Sequence, residues 1–426
     1  MWRAAAAVVE MRLHDSGVTA VCGAFLRACV GVRSGAAALL GVAVVSAGVA
    51  SPAAAPAAPN RVEVVTSSAA ALARVLKAQP ARIVRVLAPL HAVELEPVGD
   101  LRAFLGQARR TPGVVAARPV IPRASTADPA LTTEIVSAPS EWQYGAAGVD
   151  RVPSGVLAAA AGLTIAVLDT GADTRAPDLA GKVAGTYDIG SGGRIVTDRS
   201  GHGTLVASLA AGSGANGAGV AGFGGAARLL VVKLADAPAF SDLDVAAGIL
   251  YAARHGARII NLSVAGRTRS PVEQSAIEYA ARRGILLVAA AGNDALNGNP
   301  PEYPAALLQP VGSNGAGGLG LAVGASDVKG ARAPFSESGS FVSLAAPGAS
   351  IFGAAHGVAS GTSFAAPEVA GAAALVWAAN PRLSARQVAR ILEESASGGG
   401  VWTPDLGFGV IDVAAAVEQA AEAAQG

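Results

Sequence analysis

Short apolar runs alternate with helical patterns through most of the chain after residue 160. Continuous runs rich in Val, Ile and Leu are typical of buried parallel strands, and five occur, at 163–168, 229–234, 258–262, 285–289 and 319–323. Helical patterns lie between them at 205–211, 242–254 and 271–283. Strands that alternate with helices form parallel sheets, so we predict an α/β fold with a doubly wound, mostly parallel sheet and helices on both faces.

A smaller unit is predicted at residues 61–123. Strand patterns occur at 62–65, 83–87, 92–95 and 114–120, and helical patterns at 67–78 and 99–110. This β-α-β-β-α-β order predicts a small, ferredoxin-like α+β fold. The following segment, 124–139, is rich in Ala, Ser, Thr and Pro, which is typical of a linker.

The first 58 residues have the pattern of an export signal. Arginines at 27 and 33 precede the uncharged apolar run 35–50, and a Pro- and Ala-rich segment with a candidate cleavage zone at 53–55 follows. The apolar run is short for a membrane span. We therefore expect a secreted protein, and the alternative is a protein tethered to the membrane by an uncleaved signal anchor.

Three polar residues stand at predicted junctions between strands and helices. Asp169 begins Asp-Thr-Gly after a strand, His202 lies in Gly-His-Gly-Thr, and Ser363 lies in Gly-Thr-Ser-Phe-Ala-Ala-Pro before the apolar run 370–379. Singly, each has a plain explanation as a turn residue or helix cap. Together they offer a nucleophile, a base that could activate it and a carboxylate, which points to acyl transfer.

The order Asp, His, Ser with these motifs resembles the subtilisin-like serine peptidases, or subtilases, over residues 140–421. A fourth matching motif, Ala-Ala-Gly-Asn, ends at Asn293. The resemblance implies that Ser363 attacks the peptide carbonyl, that His202 transfers the proton and that Asp169 orients the imidazole. It also implies that Asn293 donates to the oxyanion.

The resemblance extends to the substrate strand and to the precursor. Ser263, Val264, Ala265 and Gly266 match the family's strand that pairs with extended substrate, although leucine and a second glycine are commoner there. The unit 61–123 resembles the family's inhibitory propeptide, which implies that it inhibits its own enzyme and is removed by a cut in the linker. We expect the strand 114–120, with residues 119–121 leading onward, to enter the active-site cleft.

Charge supports contact between the two units. Residues 61–123 contain ten Lys or Arg and four Asp or Glu, net +6, whereas residues 124–426 are net −7. Opposite charges favour encounter. The whole chain has a net charge of +1 and no basic patch, so nucleic acid is not an expected partner and the expected partners are polypeptide substrates. A monomer is expected.

Several other features bear on the chemistry. The sequence has no metalloprotease motif, so no cofactor is expected to be required. Subtilases often bind structural calcium, and this alternative stays open, because no calcium loop can be recognised in the sequence. The two cysteines, Cys22 and Cys29, both precede residue 58, so we expect no disulfide in the mature enzyme. His255 is interpreted as the cation at a helix end and His356 as a loop residue. The segment 296–318 is expected to be a mobile surface loop.

Two other function classes remain open. One is a binding protein that keeps the fold without activity, against which the intact set of four polar residues argues. The other is a lipase or esterase, but such enzymes use Gly-x-Ser-x-Gly and place the acid between Ser and His, which this chain does not.

Overall fold

The computed structural model describes residues 60–125, 141–214, 220–236, 240–310, 312–353 and 357–425. The predicted signal region, most of the predicted linker and His356 therefore lie outside the described residues. Below, residues 60–125 are called the N-terminal unit and residues 141–425 the C-terminal unit. No helix in the described ranges is long and apolar enough to cross a membrane.

The N-terminal unit contains two helices on a four-stranded sheet. Its helices are α1 Ala69–Ala78 and α2 Leu101–Arg110, and its strands are β1 Val62–Thr66, β2 Ala81–Leu87, β3 Ala92–Pro97, β4 Val114–Pro119 and, outside that sheet, β5 Pro122–Ser125. The sheet order is β2-β3-β1-β4, and its neighbouring strands are antiparallel. Ser68 and Asp100 cap the two helices with their side chains. The unit has its own apolar core, in which Phe104 and Leu95 are almost fully buried.

The C-terminal unit contains the remaining elements. Its strands are β6 Thr164–Asp169, β7 Val183–Asp188, β8 Arg228–Lys233, β9 Phe240–Ser241, β10 Ile259–Leu262, β11 Val264–Ala265, β12 Leu286–Ala290, β13 Gly320–Ser326, β14 Leu344–Pro347, β15 Ile351–Gly353 and β16 Gly357–Ala359. Its helices are α3 Trp142–Ala146, α4 Ser154–Ala159, α5 His202–Ala211, α6 Asp242–Arg254, α7 Pro271–Ala281, α8 Ala305–Leu308, α9 Thr362–Ala379, α10 Ala385–Glu394 and α11 Val413–Gln425.

The central sheet has seven strands in the order β14-β13-β12-β10-β6-β8-β7, and all neighbours are parallel. The predicted parallel sheet is therefore confirmed. Its five inner strands are those that the apolar runs predicted. The edge strands β7 and β14 were missed, because β7 is only half-buried and β14 is short and ends in a proline.

Successive side chains of β6 point to opposite faces of the sheet, and each face has its own apolar core. Ile165 and Val167 belong to the apolar cluster that contains the buried residues of α5 and α9. Ala166 and Leu168, which point to the other face, belong to the cluster that contains those of α6 and α7. The expected helices on both faces are thus present, and the sheet is covered on each side.

Two expectations need correction. The segment 296–318 is not simply a surface loop, because it contains α8, whose residues Ala305 and Leu308 are fully buried. This helix was not predicted, because it is short and lies among Gly, Asn and Pro residues. In addition, the strand 114–120 does not enter the cleft, because β4 pairs with β1 inside its own sheet. The strand that leaves the N-terminal unit is β5, which pairs with β11 and β9 of the C-terminal unit.

Candidate active site

Asp169 is the last residue of β6, at the carboxyl end of the parallel sheet. Its side chain is almost fully buried. One carboxylate oxygen, Oδ1, accepts a hydrogen bond from the N–H of Thr170 at 2.7 Å and lies 2.8 Å from Nδ1 of His202. The carboxylate is thereby fixed at the edge of the sheet where open α/β folds place their sites.

His202 is the first residue of α5. The preceding Gly201 caps the helix with φ of 80°, a left-handed conformation that glycine adopts without strain. The contact with Asp169 orients the ring, and Nε2, the other ring nitrogen, is buried without a hydrogen-bond partner among the described residues. Burial would lower the pKa of His202, but the charge of Asp169 and its hydrogen bond outweigh burial and raise the pKa, with help from the charge of Asp198.

Asp198 is a part of the site that sequence reasoning missed. Its carboxylate accepts hydrogen bonds from the hydroxyl of Thr170 at 2.9 Å and from the N–H and hydroxyl of Thr204 at 2.8 and 2.7 Å. Burial would raise the pKa of Asp198, but these bonds and one from the N–H of Gly201 outweigh it and lower the pKa. Asp198 therefore stays ionised and ties the end of β6 to the start of α5. The sequence signal that could have identified Asp198 is an acidic residue just before a predicted helix start.

Ser363 lies in the first turn of α9, which begins at Thr362, earlier than the apolar run suggested. Pro367, four residues later, has no N–H, so the Ser363 carbonyl loses the hydrogen bond that a helix would normally give it. The hydroxyl of Ser263 donates to that carbonyl instead, at 2.8 Å, and the side-chain amide of Asn261 in turn donates to Ser263 at 2.9 Å. Pro367 and Ser263 thus fix the backbone of Ser363 together.

The residue that follows Ser363 lies close to His202. The ring of Phe364, which follows Ser363, has its centroid 5.6 Å from that of His202. The hydroxyl of Ser363 also makes a long hydrogen bond of 3.4 Å to the carbonyl of Ser263. Ser363 is fully buried. The start of α9, which carries Ser363, therefore lies beside the pair formed by Asp169 and His202.

Asn293 follows β12 and lies against the start of α9. Its Oδ1 accepts hydrogen bonds from the N–H and the hydroxyl of Thr362 at 3.0 and 2.9 Å. Because two donors occupy the oxygen side of the amide, the NH₂ group points away from Thr362. This orientation is what an oxyanion-hole side chain requires.

Two buried glutamates beside Asn293 were also missed. Glu302 accepts a hydrogen bond from the N–H of Asn293 at 3.2 Å, and burial raises its pKa to about 7. Burial likewise raises the pKa of Glu337 to about 8. Both crowd Gly292, where a Cβ atom would lie 2.0 Å from Oε2 of Glu302, so the glycine before Asn293 is required.

The predicted substrate strand is the edge strand β11. Val264 and Ala265 pair antiparallel with Ser125 and Ala124 of β5. Gly266 bridges to Tyr303 on its other side. The four residues Ser263 to Gly266 therefore run from Ser363 along an edge that already accepts an extended strand.

The remaining predictions concern metals and the second histidine. Among the residues that the structure describes, no group of three or more His, Cys, Asp or Glu side chains is arranged to hold a metal ion. His255 follows the last residue of α6, where its ring stacks on Tyr251 with centroids 3.8 Å apart. This position agrees with the structural role predicted for it.

Comparison with known proteins bears on the whole C-terminal unit. The model of the Subtilase family, peptidase S8, matches residues 160–410. The chain belongs to this family. Thermitase from Thermoactinomyces vulgaris is 36% identical to this subtilase over 262 residues, which cover 60% of this chain and 89% of thermitase. Subtilisin Savinase from Lederbergia lenta is 35% identical over 260 residues, which cover 60% of this chain and 90% of Savinase.

A solved structure shows the same fold. Fervidolysin from Fervidobacterium pennivorans aligns with a TM-score of 0.68 at 24% identity, over 84% of this chain and 61% of its own. At this sequence identity, the likeness shows only that the two proteins have the same fold. The family match and the curated relatives together show that this subtilase is a serine-type peptidase that acts on polypeptides.

Proposed function

We propose that this subtilase is a serine endopeptidase in which Asp169, His202 and Ser363 form the catalytic triad. The observation that carries the proposal is the 2.8 Å contact between Asp169 Oδ1 and His202 Nδ1, with Phe364, the residue after Ser363, beside the His202 ring. Nε2 of His202 would take the proton of the Ser363 hydroxyl as that oxygen attacks the carbonyl, and would then give it to the leaving amine. Asp169 stabilises the imidazolium that forms in between.

The proposed oxyanion hole consists of the Asn293 amide and the backbone N–H of Ser363. The orientation of the amide by Thr362 supports this role. Both groups are held in place before the reaction, so they stabilise the developing charge without reorganisation. These steps need no cofactor. A raised pKa of His202 means that the base becomes protonated as the pH falls, so activity should decline earlier on acidification than an ordinary histidine would allow.

We infer further that the N-terminal unit is an inhibitory propeptide within the boundaries 61–123. Its strand β5 is antiparallel to β11, in the manner of a bound extended peptide. Three of its arginines pair with acids of the C-terminal unit: Arg85 with Asp244 at 2.7 Å, Arg118 with Asp242 at 3.0 Å and Arg123 with Glu273 at 2.6 Å. The two units, which have opposite net charges, thus form specific ion pairs with each other.

Apolar contacts support the same inference. Leu87, Ala92 and Val120 of the N-terminal unit belong to the same buried cluster as the residues of α6 and α7. A unit that covers two helices and one cleft edge would block access for substrates. The cut that removes it would lie in the linker 124–139 and leave a mature peptidase domain within 140–421.

The proposal includes secretion, which rests on the signal pattern in residues 1–58. Sequencing the N-terminus of the protein recovered from the culture medium tests both the signal cut and the maturation cut. Recovery from the membrane fraction with residues 35–50 still attached would instead support the signal anchor.

A fluorophosphonate probe separates an active enzyme from a silent binding protein of the same fold. The probe should label the mature wild-type enzyme at Ser363, because only an activated serine reacts. The Ser363→Ala variant should stay unlabelled, whereas Ser275→Ala, at an exposed serine on α7, should be labelled like the wild type. Equal labelling of the wild type and Ser363→Ala would refute the assignment. An enzyme that is labelled and hydrolyses esters but does not hydrolyse peptides would instead be an esterase.

A further inference from the structure

The strand β5 has a definite register on the predicted substrate edge. Ser125 lies opposite Val264 and Ala124 opposite Ala265, while on the other side Arg123 lies opposite Phe240 of β9. β5 is therefore held between two strands of the C-terminal unit, as a third strand of a small sheet. A peptide that replaced it in the same register would make the same backbone hydrogen bonds.

Arg123 is the residue of β5 that is held most specifically. Its side chain is fully buried, which is rare for arginine unless the charge is paired. Nε and Nη2 bond to the two oxygens of Glu273 at 2.8 and 2.6 Å, and Nη2 also donates to the Thr268 carbonyl at 2.9 Å. Nη1 bonds only locally, to the carbonyl of Pro122. The planar fork of the guanidinium fits the carboxylate in a way that an ammonium group could not.

Glu273 belongs to the C-terminal unit and stays there when the N-terminal unit leaves. It is the third residue of α7, after the cap Ser270, and the pattern Ser-x-x-Glu predicts a capping box. The backbone part of that motif is present, with the Glu273 N–H bonded to the Ser270 hydroxyl at 3.2 Å. The carboxylate, however, faces Arg123 rather than turning back to the helix cap.

The surroundings make Glu273 dependent on a cation. It is completely buried, and burial raises its pKa to about 7 although Arg123 acts to lower it. A buried carboxylate that loses its partner is strongly unfavourable. The pocket around Glu273 is therefore suited to an arginine side chain and poorly suited to an apolar one.

We propose that this pocket is a substrate subsite for arginine, occupied in the precursor by Arg123 and in the mature enzyme by an arginine of the substrate. The proposal rests on the proposed function and names its specificity. A substrate residue opposite Ser263 would lie beside Ser363, since Ser363 Oγ is 3.4 Å from the Ser263 carbonyl. In the observed register, that residue is three positions after the arginine. The favoured substrates thus have arginine at the fourth position before the cleaved bond, and Glu273 is the specificity-determining residue.

The test compares peptides that differ at that position alone. The full chain is expressed and allowed to mature, and kcat/KM is measured for otherwise identical peptides with Arg, citrulline, Lys or Ala there. Arg should exceed Ala and citrulline by roughly 10- to 100-fold, the range expected for hydrogen bonds between buried charged groups, with Lys in between. Citrulline keeps the shape of arginine but not its charge.

A matched pair of variants assigns the preference to Glu273. Glu273→Gln should lower kcat/KM for the Arg peptide far more than for the Ala peptide, so that the preference for Arg is lost. Glu278→Gln, which removes the same charge from an exposed position of α7, should keep the preference. If the Glu273→Gln precursor is not processed to mature enzyme, the proposal is tested by comparing kcat/KM of the wild-type enzyme across the four peptides.

The outcomes separate this proposal from the proposed function. Equal rates for Arg and Ala peptides, or an Arg preference that survives Glu273→Gln, would show that the buried pair only anchors the N-terminal unit, and would overturn the subsite. Failure to cleave any peptide would instead overturn the peptidase assignment. A preference for Arg that disappears in Glu273→Gln alone is the result that the structure predicts.

Discussion

The two units of this chain hold their functional parts in different ways. The C-terminal unit places its polar site residues at the ends of buried strands and at helix starts, where short motifs with fixed neighbours define them. The N-terminal unit contains no such motif, and its contribution is a strand and three arginines that reach the other unit. In the proposed function the chemistry lies in the C-terminal unit and the control of access in the N-terminal unit, so we expect that each can be changed without the other.

The largest expected effect comes from removing the base in the C-terminal unit. His202→Ala should lower kcat by about 10⁴-fold or more, because triad residues act as a unit. His255→Ala, at the end of α6, is the control and should change kcat little. Peptide hydrolysis by both purified variants is the measurement. If the His202 variant kept a rate near the wild type, the chemistry would not depend on this histidine.

The oxyanion donor should matter less than the base. Asn293→Ala should lower kcat by about 100- to 1,000-fold with little change in KM, because the oxyanion exists only in the transition state. Asn297→Ala is the control, because it is the same substitution at an exposed asparagine four residues further along the chain. A change confined to KM would assign Asn293 to substrate positioning instead.

A change in the N-terminal unit should alter control without altering chemistry. Arg118 pairs with Asp242 and Glu63, and Arg118→Ala leaves both acids without this partner. We expect inhibition by the N-terminal unit to weaken roughly tenfold or more. The kcat of the mature enzyme should be unchanged, because the unit has been removed.

Arg82→Ala is the matched control for that prediction. Arg82 pairs with Glu96 inside the N-terminal unit and is exposed, so its loss removes the same charge away from the interface. A time course of precursor loss and peptidase activity measures both variants. Equal behaviour of the two would mean that net charge, rather than the contact with Asp242, holds the units together.

The smallest effect concerns the helix that carries Ser363. Ser263→Ala removes the donor to the Ser363 carbonyl and should lower the free energy of unfolding by about 1 kcal/mol. Pro367→Ala in that background supplies an N–H to the same carbonyl and should recover part of the loss. Urea denaturation of precursors that also carry Ser363→Ala avoids self-digestion. No recovery would mean that the proline does not account for the role of Ser263.

The comparison between units also explains what could be predicted from the sequence. Apolar runs predicted the inner strands of the sheet, because parallel strands are buried on both faces. The edge strand β7 has no such run, since its residues are half-exposed. Asp169, His202, Asn293 and Ser363 could be found because each lies in a short motif with glycine or proline close by.

The residues that were missed act through contacts that are distant in sequence. Glu273 stands in the first turn of a helix, and its ion pair is with Arg123, which lies 150 residues earlier in the chain. Asp198 lies close to His202 in sequence, but its hydrogen bonds to Thr170 depend on how β6 and α5 meet. The strand 114–120 is predicted to enter the cleft because it is the last strand that the sequence pattern indicates in this unit, whereas β5, with the four residues Pro-Arg-Ala-Ser, has no apolar pattern.

We propose that the C-terminal unit itself makes the cut in the linker that releases it from the N-terminal unit. The most direct test is the intact mass of the secreted Ser363→Ala protein beside that of the wild type and of Ser275→Ala. We predict that Ser363→Ala keeps the N-terminal unit covalently attached, while the wild type and Ser275→Ala lose it at a cut within 124–139. Removal of the unit from purified Ser363→Ala, at the same position and in the absence of any other protease, would contradict the account.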